Sequence, residues 1–145
     1  IMNYAIKISD KENIGVDRDE VKNLITENDG EFVTLLKIYK YPKDGNKQIQ
    51  LSSRDKIEKY FLEKYEDMLT INQFLLSSKS IADFAIFPFM RQFAKVDYEW
   101  FAGSKYKRLI KWLEYFTEND FFDNIVMAKN CPWQDEKKDL LLFDQ

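Results

Sequence analysis

The pattern of apolar and polar positions predicts a helical protein. After residue 16, apolar side chains recur at intervals of three and four residues, which is the spacing of one face of an α-helix. These positions are Val21, Leu24, Ile25, Phe32, Leu35, Leu36 and Tyr39, with Asn28 as a polar member of the same face. We expect this first helix to end near Tyr41, because Pro42 follows it.

Two residues of the first helix do not suit a buried, regular helix face. Gly30 costs about 1 kcal/mol relative to alanine inside a helix, so we expect a close helix contact or a local bend there. Asn28 lies on the apolar face, where an unsatisfied amide costs about 1 to 3 kcal/mol. We therefore expect the Asn28 side chain to have a hydrogen-bond partner.

Turn and helix signals alternate along the rest of the chain. Asp44-Gly45-Asn46 marks a turn, and Ser52-Ser53-Arg54-Asp55 predicts the start of a second amphipathic helix that runs to Leu69. The remaining predicted elements are a connection of weak regular structure over 71–78, a loop over 97–104 with Trp100 and Phe101 folded back, a helix over 106–116 and another around 121–126.

The most specific local signal is a capping box ahead of an apolar run. Ser80 is a favourable N-cap residue, and Asp83 stands three positions later, where its carboxylate can accept from the Ser80 amide. The run over 84–90 is apolar almost all round, so we expect other helices to surround it. Pro88 interrupts its hydrogen bonding, and the helix is expected to continue past a kink there. We interpret Ser80 and Asp83 as structural.

Composition narrows the class of protein. A chain of 145 residues is long enough for one domain, and twelve Phe and eight Tyr supply much of a core. The formal net charge of −3 offers no excess field to attract nucleic acid. A local basic set, Lys105, Lys107, Arg108 and Lys111, is interpreted as mostly the solvated side of a helix. No apolar run approaches the about 20 residues that span a membrane.

Residues that carry catalytic chemistry are sparse. The chain has no histidine, which removes the usual general base and the commonest metal ligand, and we expect no metal site. Its single cysteine, Cys131, fits a reducing compartment, for which the cytoplasm is our expectation. Because Cys131 precedes Pro132 and has no histidine to activate it, we interpret it as a packed or idle thiol rather than a nucleophile.

The boxed run and several other segments resemble the C-terminal helical domain of glutathione S-transferases. The resembling segments are 80–94, Trp112, 127–129, 132–133, 24–32 and 39–42. The resemblance implies an all-α bundle of about five or six helices, with Ser80 and Asp83 at the start of its central buried helix. It further implies that residues 16–145 form this domain. Residues 1–15 then correspond to the last helix of a thioredoxin-like domain and a linker.

This resemblance implies a parent enzyme that conjugates glutathione to a small hydrophobic electrophile. Glutathione would be the co-substrate and would bind to an N-terminal thioredoxin-like domain, which also supplies the activating Tyr, Ser or Cys. This chain would then contribute the substrate side, a contact with that domain and a possible homodimer contact through the first two long helices. We expect it to be inactive alone. The alternative is a non-catalytic protein–protein interaction module of the same fold.

Six residues are candidates for the substrate side of the crevice between the two domains. They are Asn28, Phe32, Tyr39, Arg91, Gln92 and Trp100. Most have a structural alternative that the sequence leaves open. The aromatic side chains also suit the core, Asn28 also suits a bond to a neighbouring helix or a dimer contact, and Arg91 also suits an ion pair with a carboxylate such as Asp97. No catalytic residue is expected in this chain.

Overall fold

The structure is a computed structural model and describes residues 19–118. Within this range the chain is largely helical and has no β-strand, which confirms the all-α prediction for these residues. The predicted helix around 121–126, Cys131, Pro132 and the domain boundary at residue 15 lie outside the described residues. The described helices are numbered below in chain order.

Residues 19–40 form one helical rod with an irregular centre. It consists of α1 (Asp19–Glu27), the π-helical segment π1 (Asn28–Phe32) and α2 (Val33–Lys40). Gly30 lies in π1, and none of the residues 19–118 outside its own helix and chain neighbours stands within 4 Å of the position that its Cβ would take. The irregularity expected at Gly30 is therefore a π-bulge, and the alternative of a close helix contact finds no partner among the described helices.

A second rod, residues 47–68, packs antiparallel against the first. It consists of α3 (Lys47–Ile57), the π-helical segment π2 (Glu58–Leu62) and α4 (Glu63–Met68). Near one end, the Ser53 hydroxyl donates to the Leu35 carbonyl at 2.8 Å. In the middle, the Phe32 and Phe61 rings meet edge to face, with centroids 5.2 Å apart. Both rods thus carry a π-bulge close to their mutual contact.

The second rod begins earlier than the sequence predicted. Asn46, not the 52–55 segment, caps α3, and its Oδ1 accepts from the Gln48 and Ile49 amides at 3.0 and 3.1 Å. Asp44 and Gly45 both have positive φ, which confirms the turn and leaves Asn46 extended at the helix entrance. The prediction of a helix start at Ser52 is wrong, because Asn46 already supplies the cap.

Helix α5 (Ile81–Val96) lies at the centre of the described bundle. It packs against α1 and α2 on one side, and against α6 (Tyr98–Gly103) and α7 (Lys107–Thr117) on the other. The helix passes through Pro88 without ending, as predicted. Its buried positions are Ile81, Ala82, Asp83, Ala85, Ile86, Phe87, Met90, Phe93 and Ala94. This distribution confirms a helix enclosed by its neighbours.

The predicted loop over 97–104 contains a short helix, so that prediction is wrong. Helix α6 forms because Asp97 acts as its N-cap, with Oδ1 accepting from the Trp100 amide at 3.2 Å. Phe101 is buried and Trp100 half-buried, which confirms that both fold back onto the domain. The amphipathic helix predicted over 106–116 corresponds to α7.

Candidate functional site

The start of α5 is organised around the Asp83 carboxylate, which is completely buried. Asp83 Oδ2 accepts from the Ser80 amide at 2.9 Å and from the Ser80 hydroxyl at 3.2 Å. The Asp83 amide in turn lies opposite the Ser80 side chain. Each side chain is thus paired with the backbone amide of the other residue, which is the reciprocal arrangement of a capping box. The predicted capping box between Ser80 and Asp83 is therefore confirmed.

Asp83 also reaches two elements that its box spacing did not reveal. Its Oδ1 accepts from the Leu75 amide at 3.0 Å, which fixes the irregular connection ahead of α5. The same oxygen accepts from Trp112 Nε1 at 2.9 Å, which ties the middle of α7 to the start of α5. One buried side chain thus joins a helix start, the preceding connection and a second helix.

The donor set around Asp83 suits structure rather than catalysis. An ionised carboxylate offers about four lone-pair sites, and two amides, one hydroxyl and one indole N–H occupy them. The Ser80 hydroxyl does lie beside the carboxylate, but both residues are buried, so neither has an open approach to a substrate. Asp83 therefore holds three elements together.

Three of the predicted substrate residues lie in the core. Asn28, Phe32 and Tyr39 are all buried. The Phe32 and Tyr39 rings pack on Phe93 of α5, with centroid separations of 6.3 and 5.3 Å. Trp100 meets the same Phe93 ring edge on at 6.2 Å. The structure therefore brings the three predicted aromatic residues together, but around a core phenylalanine.

Beside this aromatic cluster, Arg54 lies between Trp100 and Asp97. Its guanidinium carbon is 4.5 Å from the Trp100 ring centroid, and Nη1 is 3.8 Å from Asp97 Oδ2. Arg54 is thus a cation beside Asp97. The sequence analysis had considered Arg91 for an ion pair with Asp97 and had not singled out Arg54. Burial, followed by the Asp97 charge, raises the pKa of the Tyr39 phenol, and Arg54 opposes this effect.

Arg91 and Gln92 are the two polar candidates on α5. Both side chains are half-buried. Gln92 Oε1 accepts from Lys40 Nζ at 2.7 Å, which links α5 to the C-terminal end of α2. With Trp100, these residues are the members of the predicted set that keep some exposure to solvent.

Two buried polar atoms near the π-bulges lack a hydrogen-bond partner within the described part of the chain. Asn28 Nδ2 donates to its neighbour Asp29 at 3.2 Å, whereas Asn28 Oδ1 accepts nothing. The partner expected on another helix is therefore absent from the described residues. The Tyr65 hydroxyl is also unpaired, and burial together with the Glu27 charge raises the pKa of this phenol.

A second contact that sequence reasoning missed organises the start of α7. The Glu66 carboxylate accepts from the Leu109 amide at 2.9 Å and from the Arg108 amide at 3.1 Å. Helix α7 has no side-chain cap of its own, so α4 supplies one from 43 residues away. No local spacing in the sequence signals a cap that comes from another helix.

Metal and membrane roles find no support in residues 19–118. No group of three or more Cys, Asp or Glu side chains in that range is arranged to hold a metal ion. None of the helices described there is long and apolar enough to cross a bilayer. Comparisons with protein-family models, with curated proteins and with solved structures found no match to this chain.

Proposed function

We propose that this chain is the helical, substrate-side domain of a glutathione transferase-like protein of the cytoplasm. The observation that carries the proposal is the Ser80–Asp83 capping box at the start of a central, enclosed helix. In the resembling family the same pair opens the corresponding helix. The buried position of Asp83 and its bonds to Leu75 and Trp112 support a role in assembling the domain.

In this proposal the domain contributes surface and orientation, while a thioredoxin-like domain binds glutathione and activates its thiol. Phe32 and Tyr39 are too deeply buried to touch a substrate, so they pack beneath the residues that form the substrate surface. Contact with the hydrophobic electrophile is then assigned to the half-buried residues Arg91, Gln92 and Trp100. Their contribution is proximity and orientation rather than proton transfer.

A non-catalytic interaction module of the same fold is the second candidate, and the burial of Asn28, Phe32 and Tyr39 favours it. The outer faces of α2 and α3 also expose Ile38 and Ile49, at 37% and 41%, beside a cavity of about 330 Å³. Exposed apolar groups around a cavity are typical of a contact surface, and this face is where a homodimer would form.

The test is titration calorimetry of the 145-residue chain with glutathione, followed by an assay with an aryl halide. We expect no binding at submillimolar glutathione and no conjugation, because the thiol-activating residue belongs to another domain. A saturable binding isotherm together with turnover would contradict the proposal that another domain binds and activates glutathione. The coding sequence upstream separates the two candidates, since a thioredoxin-like domain with an activating Tyr, Ser or Cys favours the enzyme.

A further inference from the structure

A cavity of about 330 Å³ lies between residues 69–73 and α7. The connection supplies Leu69, Asn72 and Gln73, and α7 supplies Arg108, Lys111, Trp112 and Tyr115. None of these residues belongs to the predicted substrate set. Pockets of this size lie at the lower end of the range that holds small organic ligands, which is about 300 to 1,000 Å³.

The charges that line this cavity are positive. Arg108 Nη1 lies 3.3 Å from Glu66, so this guanidinium is partly neutralised. Lys111 follows one turn later on α7, is exposed, and forms no ion pair with the residues described. Among the lining residues that belong to the described range 19–118 there is no carboxylate, and Glu66 offsets one of the two cations found there. The cavity therefore favours a ligand with a single negative charge.

The aromatic walls of the cavity are held in place by the core. Trp112 directs its only N–H to Asp83, so the ring can present only carbon atoms to the cavity. The Tyr115 ring stands edge on to Phe74 and Phe116, with centroid separations of 5.3 and 5.0 Å. Tyr115 is nevertheless 46% exposed. Ordered rings of this kind favour a flat, apolar ligand body.

We propose that this cavity binds a small aromatic carboxylate. The ring of the ligand packs on the exposed Tyr115 ring, and the buried Trp112, 3% exposed, contributes only the edge that reaches the cavity. The carboxylate of the ligand meets Lys111 and Arg108. The side-chain amides of Asn72 and Gln73 stand at the same cavity and can donate to the second carboxylate oxygen. This site is independent of the proposed transferase role, because it uses none of the residues assigned to the electrophile.

The test uses 2-naphthoate and its neutral analogue 2-naphthamide as probes, titrated into the full 145-residue chain. We expect saturable binding of naphthoate, and a loss of about fivefold in affinity in Lys111→Gln, the upper range for an exposed ion pair. The affinity for naphthamide is expected to stay the same in that variant. Added salt should weaken the binding of naphthoate and leave the binding of naphthamide unchanged.

Lys107→Gln is the matched control, because Lys107 is exposed on the same helix but does not line the cavity. This variant is expected to bind naphthoate as tightly as the unmodified chain. Absence of saturable binding overturns the proposal. So does an equal loss in Lys107→Gln, or a Lys111→Gln variant whose affinity for naphthoate is unchanged.

Discussion

Trp112 Nε1 donates to Asp83 Oδ1 at 2.9 Å, although the two residues stand 29 positions apart in the chain. The bond is buried and joins α7 to the start of α5. It makes the capping box part of the tertiary structure as well as a local helix signal.

Replacement of Trp112 by phenylalanine should remove this bond and keep most of the ring volume. A hydrogen bond to a charged group contributes about 1.5 to 3 kcal/mol, so we expect Trp112→Phe to lose about that much stability in urea unfolding. Trp100→Phe is the control, because Trp100 is half-buried and its ring stacks on Arg54. We expect a loss below about 1 kcal/mol there. Equal losses would contradict the role assigned to the indole N–H.

Tyr65→Phe should leave the free energy of unfolding unchanged or raise it by up to about 1 kcal/mol, because the deleted hydroxyl is buried and unpaired. Tyr106→Phe provides the comparison, since the Tyr106 hydroxyl donates to Glu58 at 2.8 Å. We expect that variant to be destabilised by about 1.5 to 3 kcal/mol. A large loss in Tyr65→Phe would reveal a hydrogen-bond partner of the phenol, such as a buried water.

Alkaline pH should destabilise the protein through its buried tyrosines. Burial raises the pKa of Tyr65, and burial with the Glu58 hydrogen bond raises the pKa of Tyr106. The phenol of an unfolded tyrosine has a pKa of about 10, so the unfolded chain loses these protons at a lower pH than the folded chain does. The contribution is therefore fully present below about pH 10 and is lost as the pH rises toward the folded values.

Urea midpoints between about pH 8 and about pH 11 measure this effect. We expect a steeper decline for the unmodified chain than for Tyr65→Phe, because the variant lacks one of the shifted groups. Parallel declines in the two proteins would show that Tyr65 does not contribute.

Glu66→Ala should destabilise the protein by about 1 to 2 kcal/mol, because it removes the only side-chain cap described for α7. Glu63→Ala is the matched variant one turn earlier, where the carboxylate forms an exposed pair with Lys105 at 3.1 Å. Exposed pairs contribute about 0 to 1 kcal/mol. Thermal unfolding of both variants distinguishes a cap from a surface ion pair.

Much of the fold follows from local sequence signals. The 3.6-residue spacing located the helices, and the Ser80–Asp83 spacing located the start of α5. Helix boundaries were harder to predict where the sequence offers two candidate N-cap residues, as at Asn46 and Ser52. Asn46 forms the cap because the positive φ angles of Asp44 and Gly45 leave it extended, and this conformation is difficult to read from residue types alone.

The candidate site was less predictable than the fold. The sequence placed Phe32 and Tyr39 on a buried face, but it did not decide whether that face meets a ligand or Phe93. The contacts of Asp83 with Trp112 and of Glu66 with α7 join residues far apart in the chain. Such contacts depend on how helices pack, which local spacing does not determine.

The central claim is that Ser80 and Asp83 form one structural unit at the start of the domain's central helix. Urea unfolding of Ser80→Ala, Asp83→Ala and the double variant tests it most directly. Loss of a cap costs about 0.5 to 2 kcal/mol, and the buried donors left without Asp83 add to that cost. We predict an Asp83→Ala loss near or above the top of this range and a double-variant loss smaller than the sum of the two. Two additive losses below about half a kcal/mol would contradict the claim.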